Sequence, residues 1–490
     1  MIKHLRSLSK DSLIYGLGNA SASVISFLLL PLYTRFLSPE DYGVLAVFAV
    51  YQSIIEITIS FGLSSGLFRY YLMAESEEEK KQVLGTCFLI QAAFIVFFAL
   101  VLFAAATPMA EVLFKSSAQT HKLNIVTGTA LLGALPSLFY ALMRAERKTK
   151  LFASVQFGRT AVLALSNIIL VAVVKMNYLG VIISNLGVTA LLVLCLLPFF
   201  LKKFLAPVSP ALIRRILAFV APVYAINVFG FLLSMSDRFF LNRVLSPDQV
   251  GLYSFGNKIG SVISIGLITP FSTAVVPYAL SIAKQPDFKQ VFARIIKYFA
   301  LAAFFCSLPI FFFSKELILL VGSEAFIGSW GIVGPTLLAG VFYGLYYAVS
   351  IQLDVIEKTY LSSFAVAVGG VASVCLNLVL IPRLGMYGSA LSACCANAIL
   401  LITMFIFCQR SYPVPHEVGA FAKLLVLVGI AVVFFLWVES HIVGLVPRMA
   451  VKTAFLLMLP VPILLMGILN PSERLTIRRG ILKLRSKPSE

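Results

Sequence analysis

The chain has 490 residues, of which 60% are hydrophobic and 12% are charged, and its mean hydropathy is +0.97. A soluble fold cannot hide that much apolar surface, so the composition predicts an integral membrane protein. The net charge of +18 is spread over short loops, which favours contact with anionic lipid and argues against nucleic-acid binding.

Fourteen apolar segments follow one another along the chain, each close to the 20 or so residues that cross a bilayer as a helix. Their apolar runs are continuous rather than alternating, which excludes a β-barrel and predicts an all-α fold. The predicted spans are 11–35, 42–66, 82–106, 122–143, 153–174, 179–201, 216–240, 249–275, 292–314, 331–352, 360–381, 387–409, 420–438 and 449–469.

The distribution of Lys and Arg predicts the orientation of these spans. With the N-terminus in the cytoplasm, 27 of the 39 basic residues fall on the cytoplasmic side, nine on the outer side and three within spans. Cytoplasmic loops normally carry such an excess of positive charge. Both termini are therefore predicted to be cytoplasmic.

A nine-residue motif links the first and second spans and recurs between the seventh and eighth. Arg35-Phe-Leu-Ser-Pro-Glu-Asp-Tyr-Gly43 returns 208 positions later as Arg243-Val-Leu-Ser-Pro-Asp-Gln-Val-Gly251. Either copy alone is explained as a capped helix start, with a serine cap, proline at the first helical position and a capping box closed by Asp41 or Gln249. Two copies in register indicate a duplication.

A second match has the same spacing, because Lys175-Met-Asn-Tyr-Leu-Gly180 lies 208 residues before Arg383-Leu-Gly-Met-Tyr-Gly388. Each repeat then holds six spans, an even number, so both halves enter the membrane in the same direction as a parallel repeat. The predicted units are an N-terminal six-helix lobe (1–201), a cytoplasmic linker (202–215), a C-terminal six-helix lobe (216–409), two extra transmembrane helices (410–470) and a basic cytoplasmic tail (471–490).

Five charged residues fall within or at the ends of spans, where charge is costly and usually faces a cavity or a partner. They are Glu56, Arg159, Asp237, Arg238 and Lys258. A salt bridge between helices is the alternative for Glu56 and Lys258, an interfacial anchor for Asp237 and Arg238, and a side chain reaching the cytoplasmic surface for Arg159. Neither the cysteines nor the histidines have the spacing of a metal site, so no metal, catalytic residue or cofactor is predicted.

The seventh span carries the most specific sequence pattern in the chain. It runs Ser236-Asp237-Arg238-Phe-Phe-Leu-Asn and continues into the second motif copy and Leu252-Tyr253. With the first copy, this resembles the polysaccharide transport proteins, the O-antigen and capsule-type oligosaccharide flippases of the multidrug/oligosaccharidyl-lipid/polysaccharide exporter superfamily.

The resemblance implies a non-enzymatic flippase of the bacterial cytoplasmic (inner) membrane with alternating access. It would move undecaprenyl-pyrophosphate-linked oligosaccharide to the periplasmic leaflet for O-antigen, capsule or exopolysaccharide synthesis, alongside a polysaccharide polymerase complex. The two extra helices would form a groove for the lipid tail, as in related lipid II flippases.

A cationic cavity suits such a substrate, since guanidinium and ammonium groups bind pyrophosphate. We therefore expect Lys258 and Arg238 to contact the pyrophosphate or acidic sugars, with Arg159 secondary. Glu56 and Asp237 are the candidates for gating or for coupling to Na+ or H+.

Two other functions remain open from the sequence. A multidrug and toxin extrusion antiporter would share the fold, although that class uses acidic groups in the N-terminal lobe and only Glu56 lies deep there. A membrane polymerase or ligase would need a large outer loop with polar catalytic groups, and the outer loops here are only about 15 residues long.

Overall fold

A computed structural model describes residues 24–468, and every secondary-structure element in that range is a helix. Twelve of these helices are long and apolar enough to cross a membrane, so the chain is a multi-pass membrane protein. The start of the first predicted span and the tail 471–490 lie outside the described residues.

The helices are α1 Val24–Phe36, α2 Pro39–Met73, α3 Glu77–Ala104, α4 Ser117–Ala145, α5 Thr149–Val173, α6 Asn177–Lys203, α7 Pro210–Val244, α8 Pro247–Ile282, α9 Phe288–Phe312, α10 Glu324–Val355, α11 Thr359–Ser411, α12 Val418–His441 and α13 Leu445–Leu465. Two short helices, Ala106–Phe114 and Ser314–Val321, lie between α3 and α4 and between α9 and α10.

Helix α11 is a hairpin that contains two of the predicted spans. Its 53 residues would extend about 80 Å as one helix, far more than the roughly 30 Å of bilayer hydrocarbon. The backbone leaves the helical region at Gly385, and a Cβ placed on Gly388 would lie 2.2 Å from the carbonyl oxygen of Leu380. The chain therefore turns back at Gly385, which agrees with the predicted count of about 14 helices.

Equivalent turns recur in the two halves of the chain. Asn177 and Gly385, 208 positions apart, both have positive φ, of 48° and 59°. Arg147 and Glu357, 210 positions apart, also have positive φ, of 53° and 59°. The repeat thus extends to the backbone conformation. The offset between equivalent residues is 210 at the turn after the fourth helix of each half and 208 at the turn before the sixth.

The two copies of the repeated motif pack against each other. A Cβ on Gly43 would lie 1.9 Å from the carbonyl oxygen of Pro247, and a Cβ on Gly251 would lie 1.8 Å from that of Pro39. Only glycine permits two helices to approach this closely. The N-terminal ends of α2 and α8 therefore meet at a pseudo-twofold contact between the halves.

The capping predictions have different outcomes in the two copies. In the first, Ser38 Oγ accepts from the Asp41 N–H at 3.1 Å and Asp41 Oδ2 accepts from the Ser38 N–H at 3.2 Å, so that capping box is confirmed. In the second, Ser246 makes no side-chain cap hydrogen bond, so the box predicted with Gln249 is wrong. The reciprocal glycine contact, not the cap, is the feature the copies share.

A buried ion cluster joins α12 and α13 to the rest of the molecule. Lys452 is fully buried, and its Nζ lies 2.8 Å from Glu316 Oε1 and 2.7 Å from Glu439 Oε1. Lys315 also pairs with Glu439, and Arg448 Nη1 lies 3.4 Å from Glu439 Oε2. The cluster draws on both extra helices and on the short helix Ser314–Val321, so it anchors α12 and α13 to the rest of the molecule.

We expect Lys452→Met to lower the free energy of unfolding by about 3–5 kcal/mol, because it leaves two partly buried carboxylates, Glu316 and Glu439, with less compensating charge. Thermal unfolding of the purified protein in detergent measures this loss. Lys315→Met is the matched control, since the Lys315 side chain is 25% exposed and Lys452 would still neutralise Glu439. Equal melting temperatures for the two variants would contradict this account.

Candidate functional site

A cavity of about 290 Å³ lies between the two halves, bounded by α1, α2, α4 and α6 on one side and by α7 and α8 on the other. For naming, α1–α6 form the N-lobe and α7–α11 the C-lobe. Two cations, Arg238 and Lys258, line the C-lobe wall. The uncharged polar side chains that line the cavity are Tyr33, Tyr42, Gln52, Thr129, Asn185 and Ser254.

Arg238 is held in place by its neighbour in sequence. Asp237 Oδ1 accepts hydrogen bonds from the Arg238 backbone N–H at 2.8 Å and from Arg238 Nη1 at 2.9 Å. Asp237 Oδ2 accepts from the Tyr253 hydroxyl, and Ser234 O accepts a second bond from Arg238 Nη1 at 2.9 Å. Asp237 is buried, so it orients the guanidinium beside the cavity.

Lys258 lies one helix away, on α8, and is close enough to Arg238 for mutual electrostatic repulsion. Its ammonium group has no hydrogen bond or ion pair with any residue in the range 24–468. Asp237 compensates Arg238, whereas Lys258 has no such partner among residues 24–468. The group therefore keeps one positive charge beside the cavity, which favours an anion.

Glu56 and Arg159 are not among the residues that line this cavity. Gln52 lines the cavity and donates its Nε2 to Glu56 Oε1 at 2.8 Å. Arg159 is within electrostatic range of Glu56, and its Nε is buried with no hydrogen-bond partner among the described residues. The structure thus brings Asp237, Arg238 and Lys258 together and connects Glu56 through Gln52, while the roles given to all five residues stay predictions.

Sequence reasoning missed the uncharged members of the site. Tyr253, which holds Asp237, is separated from it by 16 positions in the chain, and Gln52 and Asn185 are single amides in apolar spans. The one sequence signal that could have found them is their position well inside apolar spans, because buried amides and hydroxyls need polar partners. Among residues 24–468, no group of three or more His, Cys, Asp or Glu is arranged to hold a metal ion.

A second, larger cavity of about 560 Å³ lies between the C-lobe and α12. Its walls come from α9, α10, α11 and α12 and are apolar except for Ser307 and His416. Burial lowers the pKa of His416 to about 4, so this histidine is neutral at physiological pH. The cavity is therefore an uncharged apolar groove suited to a hydrocarbon chain.

Solved structures with this fold include transporters of two kinds. A lipid II flippase, MurJ, in an inward closed conformation aligns with a TM-score of 0.71 at 13% identity, covering 91% of this chain and 97% of that one. The Vibrio cholerae MATE transporter VcmN in its bent form aligns with a TM-score of 0.56 at 16% identity, covering 83% of this chain and 97% of that one. At these identities the similarity establishes the fold alone.

Sequence comparison gives the family. A protein of the Lsg locus of Haemophilus influenzae is 24% identical over 358 residues, which cover 71% of this chain and 82% of the relative. Residues 32–330, more than half of the chain, match the model of a family described as polysaccharide biosynthesis protein. The chain belongs to this polysaccharide biosynthesis protein family.

Proposed function

We propose that this protein moves an oligosaccharide linked to undecaprenyl pyrophosphate from the cytoplasmic to the periplasmic leaflet of the bacterial inner membrane. The observation that carries the proposal is the pair Arg238 and Lys258 in the cavity between the lobes. Pyrophosphate is the strongest anion on such a lipid, and it would bind these cations in a site shielded from water.

The apolar groove supports the same substrate. Its hydrocarbon-like walls between the C-lobe and α12 would hold part of the polyprenyl tail while the head group occupies the central cavity. A substrate with a long apolar tail and a compact anionic head matches both cavities, whereas a small drug would use only one.

Closure at the outer ends supports alternating access. The halves meet there through Gly43 and Gly251, and Thr34 Oγ1 of α1 donates to Val321 O at 3.0 Å. Opening this contact while closing the inner end would transfer the head group between leaflets. Glu56 is the candidate for coupling the cycle to Na+ or H+, because it connects to the cavity through Gln52.

The second candidate is an antiporter of cationic drugs, which the MATE-like fold and Glu56 favour. Thermal unfolding with added ligand separates the two. We expect undecaprenyl pyrophosphate at 100 times its Kd to stabilise the purified protein by about 2.7 kcal/mol, more than undecaprenol does. Ethidium should give no stabilisation.

Lys258→Ala should remove the difference between undecaprenyl pyrophosphate and undecaprenol, while leaving any effect of undecaprenol unchanged. Stabilisation by ethidium but not by the pyrophosphate lipid would support the antiporter and overturn the proposal.

A further inference from the structure

The two lobes give the central cavity different chemistry. The C-lobe supplies both charged groups, Arg238 and Lys258, together with Ser254. The N-lobe wall, as far as residues 24–468 form it, has no charged side chain and carries amide, hydroxyl and phenol groups. The cavity therefore has one cationic wall and one neutral polar wall.

The amides of the N-lobe wall retain unused hydrogen-bonding capacity. Gln52 Nε2 donates to Glu56 at 2.8 Å, and Asn185 Nδ2 donates to the Val181 carbonyl oxygen at 3.0 Å. In each amide the carbonyl oxygen and one N–H have no partner among the described residues, and both side chains line the cavity. Each amide thus offers an acceptor and a donor side by side.

The repeat indicates that the scaffold does not need these polar groups. At the 208-residue offset, Gln52 corresponds to Gly260 and Asn185 corresponds to Ala393. Tyr42 likewise corresponds to Val250. Each half folds in the same way with and without these side chains, so their presence on one wall requires another explanation.

The cations of the C-lobe wall are likewise absent from the equivalent positions of the N-lobe. At the same offset, Lys258 corresponds to Val50 and Arg238 corresponds to Leu30. Each half carries polar groups that its copy lacks, and both sets line one cavity. This complementary divergence fits a ligand with two chemically different ends.

We propose that the N-lobe wall binds the sugar attached directly to the pyrophosphate, and that this sugar is neutral. This inference rests on the proposed function. A sugar hydroxyl is both donor and acceptor, which paired amide groups satisfy. The phenols of Tyr33 and Tyr42 line the same wall. The pyrophosphate then lies against the C-lobe, so the head group spans the two lobes.

The size of the cavity limits what is recognised. A volume of about 290 Å³ is at the small end of ligand sites. Only the portion of the head group next to the pyrophosphate fits. The walls then select the first sugar, and the distal part of the oligosaccharide does not contribute to selection at this site.

The test compares the affinities of two lipids for the full-length protein in nanodiscs, measured by native mass spectrometry. The probes are undecaprenyl pyrophosphate and the same lipid carrying N-acetylglucosamine or galactose. In the wild-type protein at least one sugar should tighten binding about five- to tenfold, the effect of one or two net hydrogen bonds. The double variant Gln52→Ala/Asn185→Ala should lose this increment and bind the sugar-free lipid normally.

Three further variants make the result interpretable. Ser53→Ala is the matched control, because Ser53 is next to Gln52 and its only hydrogen bond within residues 24–468 is to the Ala49 carbonyl oxygen of its own helix. Tyr42→Phe removes one hydroxyl from the same wall, and it replaces the double variant as the test of the sugar increment if the double variant does not fold. Lys258→Ala should weaken both lipids by the same factor.

The outcomes separate this inference from the proposed function. If Lys258→Ala leaves the affinity for undecaprenyl pyrophosphate unchanged, the proposed function fails. If Lys258→Ala weakens binding of that lipid but the double variant keeps the sugar increment, the proposal that the N-lobe wall binds the sugar is overturned. The absence of an increment from either sugar in the wild-type protein also overturns it, as does equal weakening of both lipids in the double variant.

Discussion

Replacing Lys258 by glutamate is expected to reduce export of the polysaccharide at least about 100-fold at normal protein levels. A charged hydrogen bond contributes about 1.5–3 kcal/mol, or about 10- to 150-fold in affinity. Reversal also adds repulsion between the new carboxylate and the pyrophosphate. Because Asp237 already pairs with Arg238, it turns the net positive charge of this group into a net negative one. Surface polymer in a deletion strain carrying the variant measures the effect.

The controls for this prediction come from the same chain. Lys284→Glu makes the same charge change at an exposed position and should leave export unchanged. Lys258→Arg keeps the charge and should retain much of the export. If Lys258→Glu exported more than half the wild-type amount of polymer, the cationic cavity would not be where the substrate binds.

Gly43→Ala should reduce export at least about fivefold through the contact between the lobes. The new Cβ would lie 1.9 Å from the Pro247 carbonyl oxygen, and real Cβ atoms do not approach backbone oxygen so closely. Overpacking typically costs about 1–3 kcal/mol, so the outer-closed arrangement would lose about 5- to 150-fold in population. Gly251→Ala should act similarly, because the contact is reciprocal.

The two glycine changes should not add. Either one separates α2 from α8, so the double variant should export little less than each single variant. Gly187→Ala is the control, since a Cβ there meets no atom of the described residues within 4 Å. Normal export by Gly43→Ala would show that transport does not pass through this contact, and an additive double variant would show that the two glycines act separately.

Much of the fold follows from one-dimensional patterns. Apolar runs of bilayer length predict the helices, and the recurrence of Arg-x-Leu-Ser-Pro at one offset predicts the repeat. The reciprocal packing of Gly43 on Gly251 could not be predicted in this way, because it depends on how two helices 208 residues apart in the chain cross. The sequence motif identifies both glycines, and only the assembled helices show that they touch.

The candidate site was less predictable, for a physical reason. Charged residues stand out within apolar spans, so Arg238 and Lys258 could be identified as site candidates from the sequence. Tyr253 and Asn185 look like ordinary residues of apolar spans, and their importance depends on contacts with other helices or on the cavity they face. Lys452 is one of the nine basic residues predicted on the outer side, and the sequence does not mark it as buried because its partners, Glu316 and Glu439, are distant in the chain.

The most direct test of the central claim is the sidedness of the lipid-linked sugar in a strain that lacks this protein. Spheroplasts are treated with a membrane-impermeant reagent that oxidises vicinal diols, and the modified fraction of the undecaprenyl-pyrophosphate-linked oligosaccharide is measured. We expect the lipid to accumulate in the protected inner leaflet, and the wild-type gene, but not Lys258→Glu, to restore its exposure. Accumulation of exposed but unpolymerised lipid would contradict the account and indicate a polymerase or ligase instead.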